Sequence, residues 1–264
     1  MPRVHGRKAR VIWEGVDLSC FLTDAGIDMQ KPTADGAAFC NGVAEVETGI
    51  PSASATITGF YDDAANGPLY TVLPRFAQDL HARVVIESAG HAQGRMSTAF
   101  QGPVTQFGRP KQVGQLQTVN SGVAASGEVY EMVNLFNFGQ AGSIITNTTG
   151  TNKLEVDRTS LPAPYNATTY NGLLYVMVRN TSTAAKVFTV KSGTDTGMVT
   201  TPTTHATSPS IAPGETWVAI IGTAASLASV KQFVEFSSDA VAEIGTTIAP
   251  YVGLVNPEIS MLNR

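Results

Sequence analysis

Charge is scarce in this sequence. Only 14% of its 264 residues are Asp, Glu, Lys or Arg, against about a quarter in ordinary soluble domains. A lone domain usually coats itself with charge. A chain that does not can hide its surface in an assembly, so the scarcity favours a structural subunit. Cysteine is rarer still, at Cys20 and Cys40. Their spacing is not the C-x-x-C of a metal pair. Cys20 falls on the apolar face of an expected strand, which predicts a buried thiol. Cytoplasmic assembly would keep both thiols reduced, with a Cys20–Cys40 bridge as the alternative. No apolar run follows the basic start at Arg3, Arg7, Lys8 and Arg10, so no signal peptide is expected. No stretch approaches membrane-spanning length. The basic arm reads as a solvated terminus, or as one ordered against a neighbouring subunit.

Catalytic constellations are missing too. His5, His81, His91 and His205 are scattered, and no H-E-x-x-H, G-x-S-x-G or P-loop occurs. His81 is expected at a helix end, where an imidazolium suits the dipole. Asp62 and Asp63 read as capping residues. Asp157, Asp195 and Asp239 lack the spacing of a calcium loop. Trp13, Trp217, Tyr175 and Phe188 lie in apolar runs and read as core. The sequence therefore predicts no enzyme, no cofactor and no metal. Residues 1–140 carry 10 Lys and Arg against 13 Asp and Glu, and residues 141–264 carry 7 against 8. Beyond the short arm no basic cluster exists, so nucleic acid should not be gripped.

What is present is strand. In the stretch after Gly49-Ile50-Pro51, Ala53, Ala55, Ile57 and Gly59 alternate with Ser54, Thr56, Thr58 and Phe60, a period of two. Leu69, Val72, Leu73, Phe76 and Leu80 then recur at helical spacing. Pro74 lies inside that stripe, so the helix near 68–80 should kink or begin there. In a chain of strands, this helix is expected to lie across a sheet and cover its apolar face. Val11-Ile12-Trp13 and Val16 to Leu22 read as a hairpin turning at Glu14-Gly15. Thr23 to Val43 loses periodicity and reads as a long functional loop. Strands resume at 43–47, 82–87, 97–107, 112–123 and 127–133. After Gly139 to Gly142 the chain becomes rich in Thr and Ser. Strands at 173–179, 186–191, 215–222 and 231–236 predict a second β-sandwich. The expected division is 1–140 and 141–264, all-β throughout.

Several of these pieces, taken in order, resemble one family. They are His5-Gly6, Gly15-Val16-Asp17-Leu18-Ser19, a long polar loop, Gly49-Ile50-Pro51, Ala55-Thr56-Ile57-Thr58-Gly59-Phe60 and a following helix. Phe100 to Thr105 and Val113 to Leu116 continue the series. The first half is similar to the major tail tube proteins of long-tailed bacteriophages. It departs from them at Gly36-Ala37-Ala38-Phe39-Cys40, in place of a threonine-rich segment ending in Phe-Gly. In the second half, Asp157 and Gly172 to Val176 resemble the extra sandwich of some actinobacterial-phage tail tube proteins.

The resemblance implies a tail-tube fold plus a second β-sandwich domain. It implies subunits closed into rings, usually of six, and rings stacked into a hollow tube for genome delivery. Partners would be further copies of the chain, a tape measure protein and a tail terminator. Double-stranded DNA would pass through without being bound, no membrane would be involved, and assembly would take place in the host cytoplasm. The long loop, with Asp24, Asp28, Lys31 and Asp35, would order between rings. Glu45 and Glu47 alternate with apolar residues and are candidates to face the lumen, or else outer solvent. Asp79 and Glu87 are weaker candidates. Competing readings are another virion component, such as a capsid-decorating or tail completion protein, and a carbohydrate-binding sandwich module.

Overall fold

The structure is a computed structural model. It describes residues 9–30, 33–35, 46–48, 52–61, 68–88, 90, 92–110, 116–135, 153–167, 170, 172–195, 202–222, 230–239, 250–256 and 260. The fold is all-β. In chain order the strands are β1 (Arg10–Trp13), β2 (Val16–Asp17), β3 (Leu22–Gln30), β4 (Thr33–Asp35), β5 (Val46–Thr48), β6 (Ser52–Phe60), β7 (His81–Glu87), β8 (Met96–Gly108), β9 (Thr118–Ala124) and β10 (Val129–Asn134). They continue with β11 (Lys153–Asp157), β12 (Leu174–Arg179), β13 (Phe188–Gly193), β14 (Thr203–Thr207), β15 (Thr216–Ile221), β16 (Phe233–Ser238) and β17 (Tyr251–Val255). Two one-turn helices, α1 (Pro68–Thr71) and α2 (Leu73–Ala77), lie between β6 and β7.

The chain divides into two compact units. The first holds residues 1–19, 84–99 and 130–260; the second holds 20–83, 100–129 and 261–264. They are interleaved along the sequence and do not follow one another at 140/141. The expected boundary itself lies in 136–152, outside the described residues.

The first unit contains a sandwich. One sheet runs β15-β12-β17-β10-β8-β7-β1-β2, and the other runs β11-β16-β13-β14. Apolar residues alternate on the facing strands, as the period of two demands. Leu154 and Val156, Val176 and Val178, Val234 and Phe236, and Val252 and Leu254 meet in one core. Phe188 stacks on Trp217 at 6.5 Å and on Phe236 at 5.6 Å. Each fully buried side chain of this size contributes about 1.5–3 kcal/mol. Arg158, fully buried, ties the sheet edge down. Its guanidinium donates to the carbonyls of Lys231, Tyr165, Ala167 and Val230 at 2.5–2.9 Å. Four neutral acceptors thus replace the water lost by one charge.

The β1–β2 hairpin turns where the sequence places it. Glu14 and Gly15 both have positive φ, 51° and 76°, the backbone of the two-residue turn that matches strand twist. A Cβ on Gly15 would come within 2.7 Å of Cβ of Arg179.

Several expectations need correction. The stretch from Thr23 is not a structureless loop: β3 and β4 occupy its first part, and residues 36–45 lie outside the described set. Its apolar alternation is weak because β3 is largely exposed, so pairing and not burial holds it extended. Cys20 is exposed in a turn, past the end of β2. The helix breaks at Val72 and ends at Ala77, so His81 opens β7 and caps nothing. Val72 is buried, but Phe76 and Leu80 remain about 40% exposed (42% and 40%). The strands β11, β14 and β17 were not anticipated.

β17 lies between β10 and β12, with Met132↔Val255 on one side and Leu174↔Leu254 on the other. A chain ending at Gly139 removes β17 and the whole facing sheet. It is expected to be insoluble or to lack a cooperative thermal transition by circular dichroism. A soluble, cooperatively melting fragment would restore 1–140 as an independent domain.

Candidate functional site

The second unit contains a sheet of β3, β6, β9 and the end of β8. β6 organises it. Ala53, Ala55, Ile57 and Gly59 are buried, while Ser52, Thr56 and Phe60 are exposed. Residues paired across antiparallel strands share a face, so the register extends this division over the sheet. One row is Asp24, Thr58, Asn120 and Gly108; the next is Gly26, Thr56, Gly122 and Gln106; the third is Asp28, Ser54 and Ala124. This face is mostly hydroxyls, amides and glycines, with Ala124 in its third row and Phe60 exposed at the end of β6. None of these four strand segments contains a Lys, Arg or His; the nearest cations in sequence are Arg109, exposed just past the end of β8, and Lys31, just past the end of β3. The only charges on the face are Asp24 and Asp28, both exposed at the β3 margin.

The opposite face is apolar, and α2 meets it through one ring, with no residue of α2 itself buried. Phe76 of α2 meets Phe107 of β8 with ring centroids 6.3 Å apart. Phe107, Ser121 and Ile57 form one row on that face.

Glycine lets the strands approach. A Cβ on Gly59 would lie 2.3 Å from the carbonyl oxygen of Phe21, and one on Gly102 would lie 1.7 Å from that of Ala124. β3 itself pairs only with β6 among the described residues. Its other side is a nine-residue edge, a template for another strand. Six of the eight large hydrophobics exposed among the described residues belong to this unit: Met29, Phe60, Tyr70, Phe76, Leu80 and Leu116.

The residues singled out in the sequence are distributed as follows. Asp24 and Asp28 share one face of β3, four residues or roughly 13 Å apart. Asp28 accepts a hydrogen bond from Nε2 of Gln30 at 2.8 Å. Asp35 is in β4 opposite Val46, and Glu47 is in β5 opposite Ala34. Lys31 and Glu45 lie outside the described residues. Glu87 is fully buried in the first unit and faces no channel. Thr56, Thr58 and Asn120 escaped sequence reading as site residues. Their signal was visible, as cation-free strands whose outer positions, Phe60 apart, are small or polar.

Nothing described assembles an active centre. Ser192 Oγ lies 2.7 Å from Nε2 of His205 and accepts the Lys231 N–H at 3.0 Å. Ser192 is fully buried, and Nδ1 of His205 has no hydrogen bond among the described residues. Burial, then the Lys231 charge, lower the pKa of this imidazole. A nucleophile needs access and an oriented base, and this pair has neither. Asp157 accepts from the Thr159 N–H, and Asp239 from the Val187 N–H, so both cap backbone. Among the described residues, no cluster of three or more His, Cys, Asp or Glu is placed to hold a metal ion.

Gly59→Ala is expected to force β6 away from the chain at Phe21. Overpacking of this kind costs about 1–3 kcal/mol. Denaturant unfolding should show that loss, while the same change at Gly127, whose added Cβ meets nothing within 4 Å, should cost only the strain of its positive φ.

No family model and no curated protein matches the chain. Solved structures do. A chain of the "Tail of empty GTA particle computed with helical refinement, C6 symmetry" is 14% identical, with a TM-score of 0.40; the match covers 48% of this chain and 97% of that one. The Dit protein of phage SPP1, described as a hub of adsorption apparatus, is 11% identical with a TM-score of 0.26, covering 94% and 99%. A chain of the phage p2 baseplate is 8% identical with a TM-score of 0.30, covering 94% and 97%. With TM-scores below 0.5, these likenesses do not fix a common fold.

Proposed function

We propose that the chain is a structural virion protein, the major tail tube subunit of a long-tailed bacteriophage, acting without catalysis or cofactor. The observation that carries this reading is the cation-free, hydroxyl-rich sheet with its open β3 edge. A polyanion slides past such a face because nothing on it forms charge-assisted bonds to phosphate. The β3 edge and the exposed apolar residues of the same unit supply what a ring of copies, most simply six, would cover. In this reading the segment with Asp24, Asp28, Lys31 and Asp35 makes contacts between rings. Glu45 and Glu47 join the channel wall. The tape measure and tail terminator are the further partners, and the assembled particle is the site of action.

A carbohydrate-binding module is less well supported. The aromatic residues of the apolar runs, Trp13, Trp217, Tyr175 and Phe188, are all buried and offer no face to a sugar, although Phe60, Tyr70 and Phe76 are exposed.

Negative-stain electron microscopy of the purified protein should show rings or tubes. Monomers at every concentration would refute the subunit reading. Deleting residues 28–35 should leave a folded subunit that no longer forms tubes; tubes at normal yield would remove this segment from the ring contacts.

The wall has its own test. Thr56→Lys, and separately Glu45→Lys with Glu47→Lys, are expected to leave tubes intact and to slow DNA ejection, most at low salt. If ejection is unchanged by Thr56→Lys at every ionic strength, the β6 face does not line the channel. The same result for the double change excludes the two glutamates.

A further inference from the structure

The first unit holds a polar cluster that the tail reading does not use. Glu87 ends β7, Ser97 is on β8, Asn134 ends β10, and Tyr251 opens β17. Exposure is 0% at Glu87 and Asn134 and 2% at Ser97 and Tyr251. Ser97 Oγ donates to Oδ1 of Asn134 at 2.6 Å, and the Tyr251 hydroxyl also meets that oxygen and Ser97 Oγ. With its oxygen so engaged, the Asn134 amide points Nδ2 at Oε1 of Glu87, 3.0 Å away. Oε2 of Glu87 makes no hydrogen bond among the described residues.

We propose that this cluster is a proton-held joint: Glu87 sits in it as the neutral acid, and its ionisation loosens β7, β8, β10 and β17 from one another. A buried carboxylate ordinarily collects two or three donors, and here one amide is on hand. The cation nearest in register is Arg10, the β1 partner of Glu87. Its Nη1 lies 2.8 Å from Oδ2 of Asp17, so that charge is already answered.

The electrostatics agree with the geometry. Burial, with a smaller push from Asp17, raises the Glu87 carboxyl to about 8 against the downward pulls of Arg10 and of the Asn134 hydrogen bond. Tyr251 is pushed well above its ordinary range, chiefly by burial, and stays neutral. Tyr175 faces it edge-on at 6.3 Å. Glu131, on β10, is also raised by burial, but it holds the Thr98 hydroxyl at 2.7 Å and is the control.

The sign follows from linkage. An acid raised in the folded state stabilises fully below its ordinary value of 4.5 and loses that contribution as pH climbs through about 8. The proton leaves to solvent, and the carboxylate stays behind with one donor.

The test is thermal unfolding of the full chain between about pH 5 and about pH 9. The midpoint of the wild type and of Glu131→Gln should shift downward across this window. That of Glu87→Gln should shift clearly less, keeping only what Glu131 contributes. An equal downward shift in Glu87→Gln overturns the proposal. Should Glu87→Gln not fold, infrared spectra of Glu131→Gln decide instead. A protonated-carboxyl band should persist at neutral pH and vanish as pH passes about 8. Its absence at neutral pH overturns the proposal.

Discussion

The insertion of β17 between β10 and β12 is the constraint on which the first unit depends. It joins a strand from the end of the chain to one from its middle, Leu254 opposite both Val133 and Leu174. Such contacts are far apart in sequence, so closure entropy must be met before packing repays it. The repayment is the core under β17, where Val252 and Leu254 meet the facing sheet. Gly253 makes the fit possible, because a Cβ there would come within 2.4 Å of the Met132 sulfur. The polar Asn134 can sit buried at the end of β10 because Tyr251, on the inserted strand, and Ser97 bring it hydroxyls and Glu87 accepts from its amide.

Sequence carried the local geometry well where burial is one-sided. β6 alternates strictly, and each of its expected inner residues is buried. The β1–β2 turn was legible because Glu14-Gly15 separates two apolar runs. β3 was illegible for the opposite reason. Leu-Thr-Asp-Ala-Gly-Ile-Asp-Met-Gln has little to bury, and its extended form comes from eight paired residues of neighbouring β6. Propensity says little about a strand held by its partner. The Cys20 error has the same root: the period was continued past Asp17, where the chain leaves the sheet. β17 reads Tyr-Val-Gly-Leu-Val, buried throughout, and a short continuous apolar run has no period to recognise.

The candidate site was half visible. Asp24 and Asp28 were noticed for their charge, and they do share a face of β3. Thr56, Thr58 and Asn120 were not, since nothing in a single strand marks them as neighbours. They become one surface through register, which links residues more than sixty positions apart, as in Thr58↔Asn120. Side-chain pairing across a sheet is the property that one-dimensional reading is least able to supply.

Magnitudes explain why the missing cations matter more than the acids present. One carboxylate repels one phosphate by on the order of 1 kcal/mol at contact in water, and salt weakens this further. On the proposed reading Asp24 and Asp28 alone would form only a weak barrier. A single Lys or Arg on the wall has a larger effect, because a charge-assisted hydrogen bond to phosphate is about twice as strong as a neutral one. In a ring every substitution is repeated by each subunit, and in a stack by each ring. A few tenths of a kcal/mol of attraction per copy would then hold a passing duplex at many points at once. A wall that must let a polyanion through is constrained first to exclude cations and only second to carry acids. On the proposed reading, the hydroxyl rows from Thr58 to Ser54 would meet the first requirement, and Asp24 and Asp28, at the β3 margin where rings would meet, would add to the second.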